Sequence, residues 1–191
     1  GYFFAPLIVV IVMHSVLYDG WRQLYFIYPS FALLIIYGLS YISKKNKTLF
    51  ITTLSFIAFS FTATSAYMIR NFPMQCVYFN NSFIFSPPEH LRLSYELDYW
   101  GVSYKKSLEH ILKIDSSALI NVHVANNPGI ENVKILPLSE RSRINIVPIE
   151  HATYFIANFR WHPEDYKEYQ DLKIHSFKVE ENTVSQIYKL K

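Results

Sequence analysis

Two short stretches concentrate the side chains that could do chemistry. The first is His14 to Pro29, HSVLYDGWRQLYFIYP, which places Asp19, Trp21 and Arg22 almost side by side. The second is Asp98-Tyr99-Trp100-Gly101. Apolar sequence flanks the first stretch on both sides, so its ionisable groups are expected where a membrane meets water. Groups that costly to desolvate mark function there. A guanidinium fixed at such an interface grips a phosphate with two parallel hydrogen bonds, more strongly where water is excluded. It also anchors a helix by snorkelling to headgroups, or pairs with Asp19. Arg22 is read as the phosphate ligand, with His14 and Tyr18 beside it. Asp19 could orient Arg22, hold an acceptor hydroxyl or take its proton, and Asp-Gly is equally an ordinary turn. Trp21, Tyr25 and Tyr28 offer ring faces to a sugar or an isoprenoid chain, although aromatic belts of the same composition occur at membrane surfaces. In the second stretch, Asp98, Tyr99 and Trp100 combine rings with an acid, which suits a sugar or acceptor. The alternative is a packed corner in which Asp98 accepts from backbone amides ahead of a helix.

The elements that must position these residues fall into two kinds. Up to residue 70 the bases are Arg22, Lys44, Lys45, Lys47 and Arg70, and Asp19 is the sole acid. Beyond residue 70, charges of both signs occur at ordinary soluble density. Such a shift marks a transmembrane region, 1–70, followed by a water-facing domain, 71–191. Three spans are expected, at about 2–17, 24–42 and 49–69, each near the roughly 20 residues a bilayer needs. The first apolar run is already under way at residue 2, which leads to the expectation that this is the C-terminal part of a longer membrane protein. Lys-rich short loops stay in the cytoplasm. The Lys44–Lys47 loop therefore faces inward, and both His14–Gln23 and residues 71–191 face outward, where they can share one site.

The water-facing part reads as α/β. Strands are expected at Gln75–Phe79, Ala118–Val124, Asn145–Ile149 and Thr153–Phe159, with a terminal hairpin over 173–179 and 184–190. Residues 83–93 read as a loop and Asn126–Gly129 as a turn. Ser103 is expected to cap a helix running to Lys113, with Tyr104, Leu108, Ile111 and Leu112 on its apolar face.

Several classes lack support. The single Cys76 makes no internal disulfide. The seven histidines include no His-x-x-x-His pair and no accompanying cysteine cluster, so no metal site is read and no cofactor is evident. The net charge of +3 shows no basic face for nucleic acid. Asn80-Asn81-Ser82 is formally a glycosylation sequon.

Three segments together resemble a bacterial family of multi-spanning glycosyltransferases of the GT-C class, those similar to dolichyl-phosphate-mannose protein mannosyltransferases. They are LYDGWRQLYFIYPSF (17–31), CVYFNNS (76–82) and YELDYWGVSYKKSLEHIL (95–112). Gln23 stands where the family usually has His, and Asn81 where it usually has Pro. The resemblance implies a bacterial inner-membrane enzyme with a periplasmic domain. It would take a polyprenyl-phosphate sugar as donor and transfer to a glycan, lipid or protein acceptor. The family's main catalytic carboxylate lies in a first outer loop, upstream of the matched segments. Two other functions compete: a non-enzymatic anchor and outer domain of a transporter or envelope-assembly scaffold, and a lipid-linked oligosaccharide ligase or polymerase.

Overall fold

The computed structural model describes residues 1–17, 22–78 and 88–191. The chain divides into two compact units, Gly1–Thr64 and Ser65–Lys191.

The first unit is helical. Helix α1 covers Phe4–Val12. At about 1.5 Å per residue it is too short to cross a bilayer, unlike the expected 2–17 span. It ends where His14 takes a left-handed backbone, φ +48. A 3-10 turn, Arg22–Ile27, runs directly into α2, Tyr28–Lys45. Pro29 sits in the first turn of α2, where its missing N–H costs nothing. Lys44 and Lys45 in the last turn face the partial negative charge of the carbonyl end. Asn46 then does two jobs. Its backbone leaves the helical region, which ends α2, and its Oδ1 accepts from Leu49 N–H at 2.9 Å, which caps α3, Lys47–Arg70. The hydroxyls of Thr52 and Thr62 donate to the carbonyls of Thr48 and Ala58 one turn back. These threonines thereby carry their polarity inside the helix and can lie in an apolar medium at little cost. Arg22–Lys45 and Lys47–Arg70 are each long and apolar enough to cross a membrane.

The second unit begins within α3 and builds a five-stranded mixed sheet. Its strands are β1 (Ile120–Val124), β2 (Ile144–Ile146), β3 (Tyr154–Ala157), β4 (Lys173–Val179) and β5 (Asn182–Lys189). Their order is β2-β1-β3-β5-β4. The first three are parallel, and the β4–β5 hairpin adds antiparallel to β3. Helices α4 (Pro88–Ser94), α5 (Val102–Ile114), α6 (Asn127–Lys134) and α7 (Leu138–Arg141) complete it. The expected face of α5 is the one it buries. Tyr104, Leu108 and Ile111 are fully covered and pack on Val122, Ile156 and Ile187. β3 is buried along its whole length, as befits a central strand covered on both faces. Its other face carries Phe155 and Ala157, with Tyr188, Tyr166 and Tyr169.

Three local expectations differ from the structure. Gln75–Val77 is a 3-10 turn and not a strand. Met74 and Val77, three residues apart, are buried together, and the Val77 carbonyl accepts from the Tyr67 hydroxyl at 2.9 Å, so no sheet neighbour is needed. Residues 88–93, part of the 83–93 stretch read as loop, belong to α4, with Pro88 in its permitted first position. Asn126–Gly129, read as a turn, is the start of α6, with Asn126 extended just ahead of it.

Candidate functional site

The parallel strands β1 and β3 lie side by side, and their chains then diverge: β1 leads away towards β2 on one side, and β3 towards the β4–β5 hairpin on the other. Ligands of open α/β sheets collect in the crevice beyond the carboxyl ends of strands at such a divergence. Here each strand ends in the same dipeptide. Ala125-Asn126 follows β1, and Ala157-Asn158 closes and follows β3. The parallel register, Val124 opposite Ile156, brings the two asparagines level. Asn126 Nδ2 donates to Asn158 Oδ1 at 2.6 Å, and Asn158 Nδ2 donates to the Asp98 carbonyl at 3.2 Å. The Asp98–Gly101 stretch is thereby tied to the carboxyl edge of the sheet.

Asp98 is fully buried. Its carboxylate accepts from Val102 N–H at 2.7 Å, from Ser103 N–H at 3.1 Å and from the Ser103 hydroxyl. It supplies the acceptors that the first turn of α5 lacks. The cap is therefore Asp98 and not Ser103. Burial pushes the Asp98 carboxyl up, against the hydrogen bonds from Ser103 and Val102 that hold it down. Both oxygens are engaged, so the expected role of Asp98 in binding a sugar or acceptor gives way to one of positioning. Gly101 makes the corner possible. Its φ is +67, and a Cβ there would stand 2.5 Å from Pro128 Cβ. Asn132 Nδ2 holds the Gly101 carbonyl at 3.0 Å.

This corner presents a ledge of rings. Tyr99 and Trp100 pack edge to face at 5.2 Å. The Arg160 guanidinium lies over the Tyr99 ring at 4.0 Å and over the Trp161 ring at 5.5 Å. Arg160 Nε donates to Glu96 at 3.4 Å. Trp100 and Trp161 are 69% and 67% exposed, so their faces cover little of the protein itself. The Tyr104 hydroxyl is buried beside the backbone amides of Ala125 and Asn126, and Asn126 Oδ1 is buried without a hydrogen-bond partner among the described residues. Behind the ledge, Arg92 pairs with Asp165 at 2.9 Å and lies over Phe159 at 4.4 Å.

The residues expected from the sequence thus separate. Tyr99 and Trp100 are on the ledge, and Asp98 holds it from below. Arg22 is exposed at the start of the Arg22–Ile27 turn, and His14 is exposed after α1. Tyr18, Asp19 and Trp21 lie outside the described residues, as do Phe79–Ser82. Sequence reasoning missed Asn126, Asn158, Arg160 and Trp161. The available signal was the repeated Ala-Asn that closes the apolar runs INVHVAN and YFIAN. Among the described residues no group of three or more His, Cys, Asp or Glu side chains could hold a metal ion.

No protein-family model matches the chain, and no curated protein or solved structure matches it.

Proposed function

We propose that this chain is part of an integral-membrane glycosyltransferase, moving a sugar from a polyprenyl-phosphate carrier to an acceptor on the extracytoplasmic side of a bacterial inner membrane. The observation that carries the reading is the exposed Trp100–Tyr99–Arg160–Trp161 ledge, built on the segment whose sequence resembles these enzymes. Flat rings beside a guanidinium and a carboxylate suit a sugar, whose C–H face stacks while its hydroxyls hydrogen-bond. The bilayer reading rests on α2 and α3. Their side chains are apolar and uncovered, and apolar surface of that extent needs lipid or further helices around it.

In the reaction, the bond between the sugar C1 and the phosphate oxygen breaks and the electron pair leaves with the lipid phosphate. The acceptor hydroxyl forms the new bond to C1 and yields its proton to a base. Arg22 would hold the phosphate as charge builds on it, with His14 and Tyr18 donating alongside. Trp21 would stack on the donor. Tyr99 and Trp100 would hold the acceptor, while Asp98 keeps them in place. Asp19 is the base candidate within this chain, and the resemblance puts the family's main carboxylate upstream. The test is transfer from a panel of polyprenyl-phosphate sugars by membranes containing the protein. Transfer lost on Arg22→Ala supports the reading. Absence of transfer from every donor, with the protein inserted, would favour the anchor-and-scaffold alternative.

A further inference from the structure

The second unit has a pocket of about 150 Å³ well away in sequence from the ledge. Arg70 at the end of α3, Lys106 on α5 and Lys178 on β4 all line it. Asn71 adds an amide, and the buried Met74 and Val184 form its apolar floor. No carboxylate lines it among the described residues. In the same unit Arg92 pairs with Asp165, Lys105 with Glu109, Lys134 with Glu131 and Arg160 with Glu96, while Lys113 and Lys173 have no ion pair among the described residues. Arg70, Lys106 and Lys178 have no such ion pair among the described residues.

Three cations lining one hollow with no acid among the lining residues offer a net positive site to an anion. Three elements distant in sequence supply these cations, so the fold and not a local lysine run brings them together. The volume falls below the roughly 300–1,000 Å³ of a pocket for a drug-sized ligand. It suits a small, dense anion. A planar guanidinium and two ammonium groups present many N–H donors and no acceptor, which matches phosphate oxygens, while the Asn71 amide already donates to the Tyr67 carbonyl. Arg70 ends a helix long and apolar enough to cross a membrane and the exposed Phe72 follows it, the pairing of basic and aromatic side chains typical of headgroup depth.

We infer that the pocket formed by Arg70, Lys106 and Lys178 binds a phosphate or diphosphate group. The anion chemistry stands without the transferase reading. Only a lipid source for that phosphate rests on the membrane assignment of α3.

The test uses the intact protein in detergent, with inorganic pyrophosphate as the probe and ³¹P line broadening as the readout. Wild type should bind saturably. Lys106→Gln with Lys178→Gln should weaken binding by roughly tenfold or more, as expected for loss of charge-assisted contacts. Lys105→Gln, one residue from Lys106 and paired with Glu109, should leave it unchanged. Circular dichroism would verify that the double variant is folded, and Arg70→Gln provides an independent second variant. Nanodiscs containing phosphatidic acid should displace pyrophosphate if the natural phosphate belongs to a lipid. If neutral and acidic nanodiscs leave pyrophosphate equally bound, the site takes a soluble phosphate. Absence of saturable binding to wild type, or equal weakening by Lys105→Gln, would overturn the inference. Sugar transfer is not measured, so failure here and failure of the transferase reading are separable.

Discussion

Among the described residues 1–64, Ile27 alone is buried, although α2 and α3 are rich in Phe, Leu, Ile and Tyr. In residues 65–191, similar side chains disappear into three clusters around a sheet. The difference lies in periodicity and not in apolar content. α3 carries Leu49, Ile51, Phe56, Phe59 and Phe61 exposed around its circumference. No single apolar stripe exists to set against a partner element. α5 alternates Tyr104, Leu108 and Ile111 with Lys105, Glu109 and Lys113, so one face has an evident partner and the other has water. The first unit leaves its apolar side chains uncovered, whereas the second gathers its own into an internal core.

Cysteine labelling bears most directly on that contrast, because its outcome is all or none. In a Cys76→Ser background, an outside reagent should modify a cysteine at Ser15 or Ser139 and spare one at Asn46, in the lysine-rich connection. Labelling at Asn46 alone would invert the topology and place both the His14–Gln23 stretch and residues 71–191 on the cytoplasmic side, against the extracytoplasmic site.

Arg22 comes next. Losing a charge-assisted phosphate contact in a water-poor site costs about 2–4 kcal/mol of transition-state stabilisation, or roughly 30- to 1,000-fold in rate. Arg22→Lys should not rescue it, since an ammonium cannot reproduce the two-pronged contact. Transfer rates normalised to inserted protein measure this. Near-normal turnover in the lysine variant would make Arg22 an anchor of the first unit and nothing more.

Asp98→Ala probes the second unit in the same range but through stability. It removes a helix cap and leaves the part-buried amide of Val102 and the buried amide of Ser103 unpaired, at a cost of about 2–3 kcal/mol. The unfolding midpoint of the intact protein should fall by several degrees. Unchanged stability would mean that the corner is held by the asparagine pair alone. Trp100→Ala should do the reverse. The ring is exposed, so stability should move by less than about 0.5 kcal/mol. Losing a stacking face should raise the acceptor KM by roughly tenfold, with kcat largely kept.

The smallest effect concerns pH. His110 stacks on His175 at 4.0 Å. Partial burial first, then His175 and Lys113, hold its pKa below 6.5. The unfolded chain therefore binds the proton more readily than the folded one. Stability is complete above the unfolded value and declines as pH falls through about 6.5 towards the lower folded pKa. The exposure of the pair keeps the effect slight. His110→Gln should flatten the decline of the unfolding midpoint between pH 7 and pH 5.

Local pattern was enough for the long elements. The apolar runs of α2 and α3, the stripe of α5, the β runs at 120–124 and 154–157 and the final hairpin all follow from periodicity, because each obeys a single repeat over its length. Short elements did not yield, because neighbours far along the chain decide them. Gln75–Val77 reads as β by composition, yet Tyr67 takes up the Val77 carbonyl and Leu91, Val179 and Val184 share the cluster that receives Val77. The same reason governs the site. Sequence alone could mark Asp98-Tyr99-Trp100-Gly101 as unusual in type, but it could not say which member faces solvent. That depended on the parallel register that levels Asn126 with Asn158, and on Arg160, sixty residues away, settling over Tyr99. Charge followed the same division. The Lys44–Lys47 cluster was legible because its members are adjacent, whereas Arg70, Lys106 and Lys178 became a cluster only when α3, α5 and β4 were brought to one pocket.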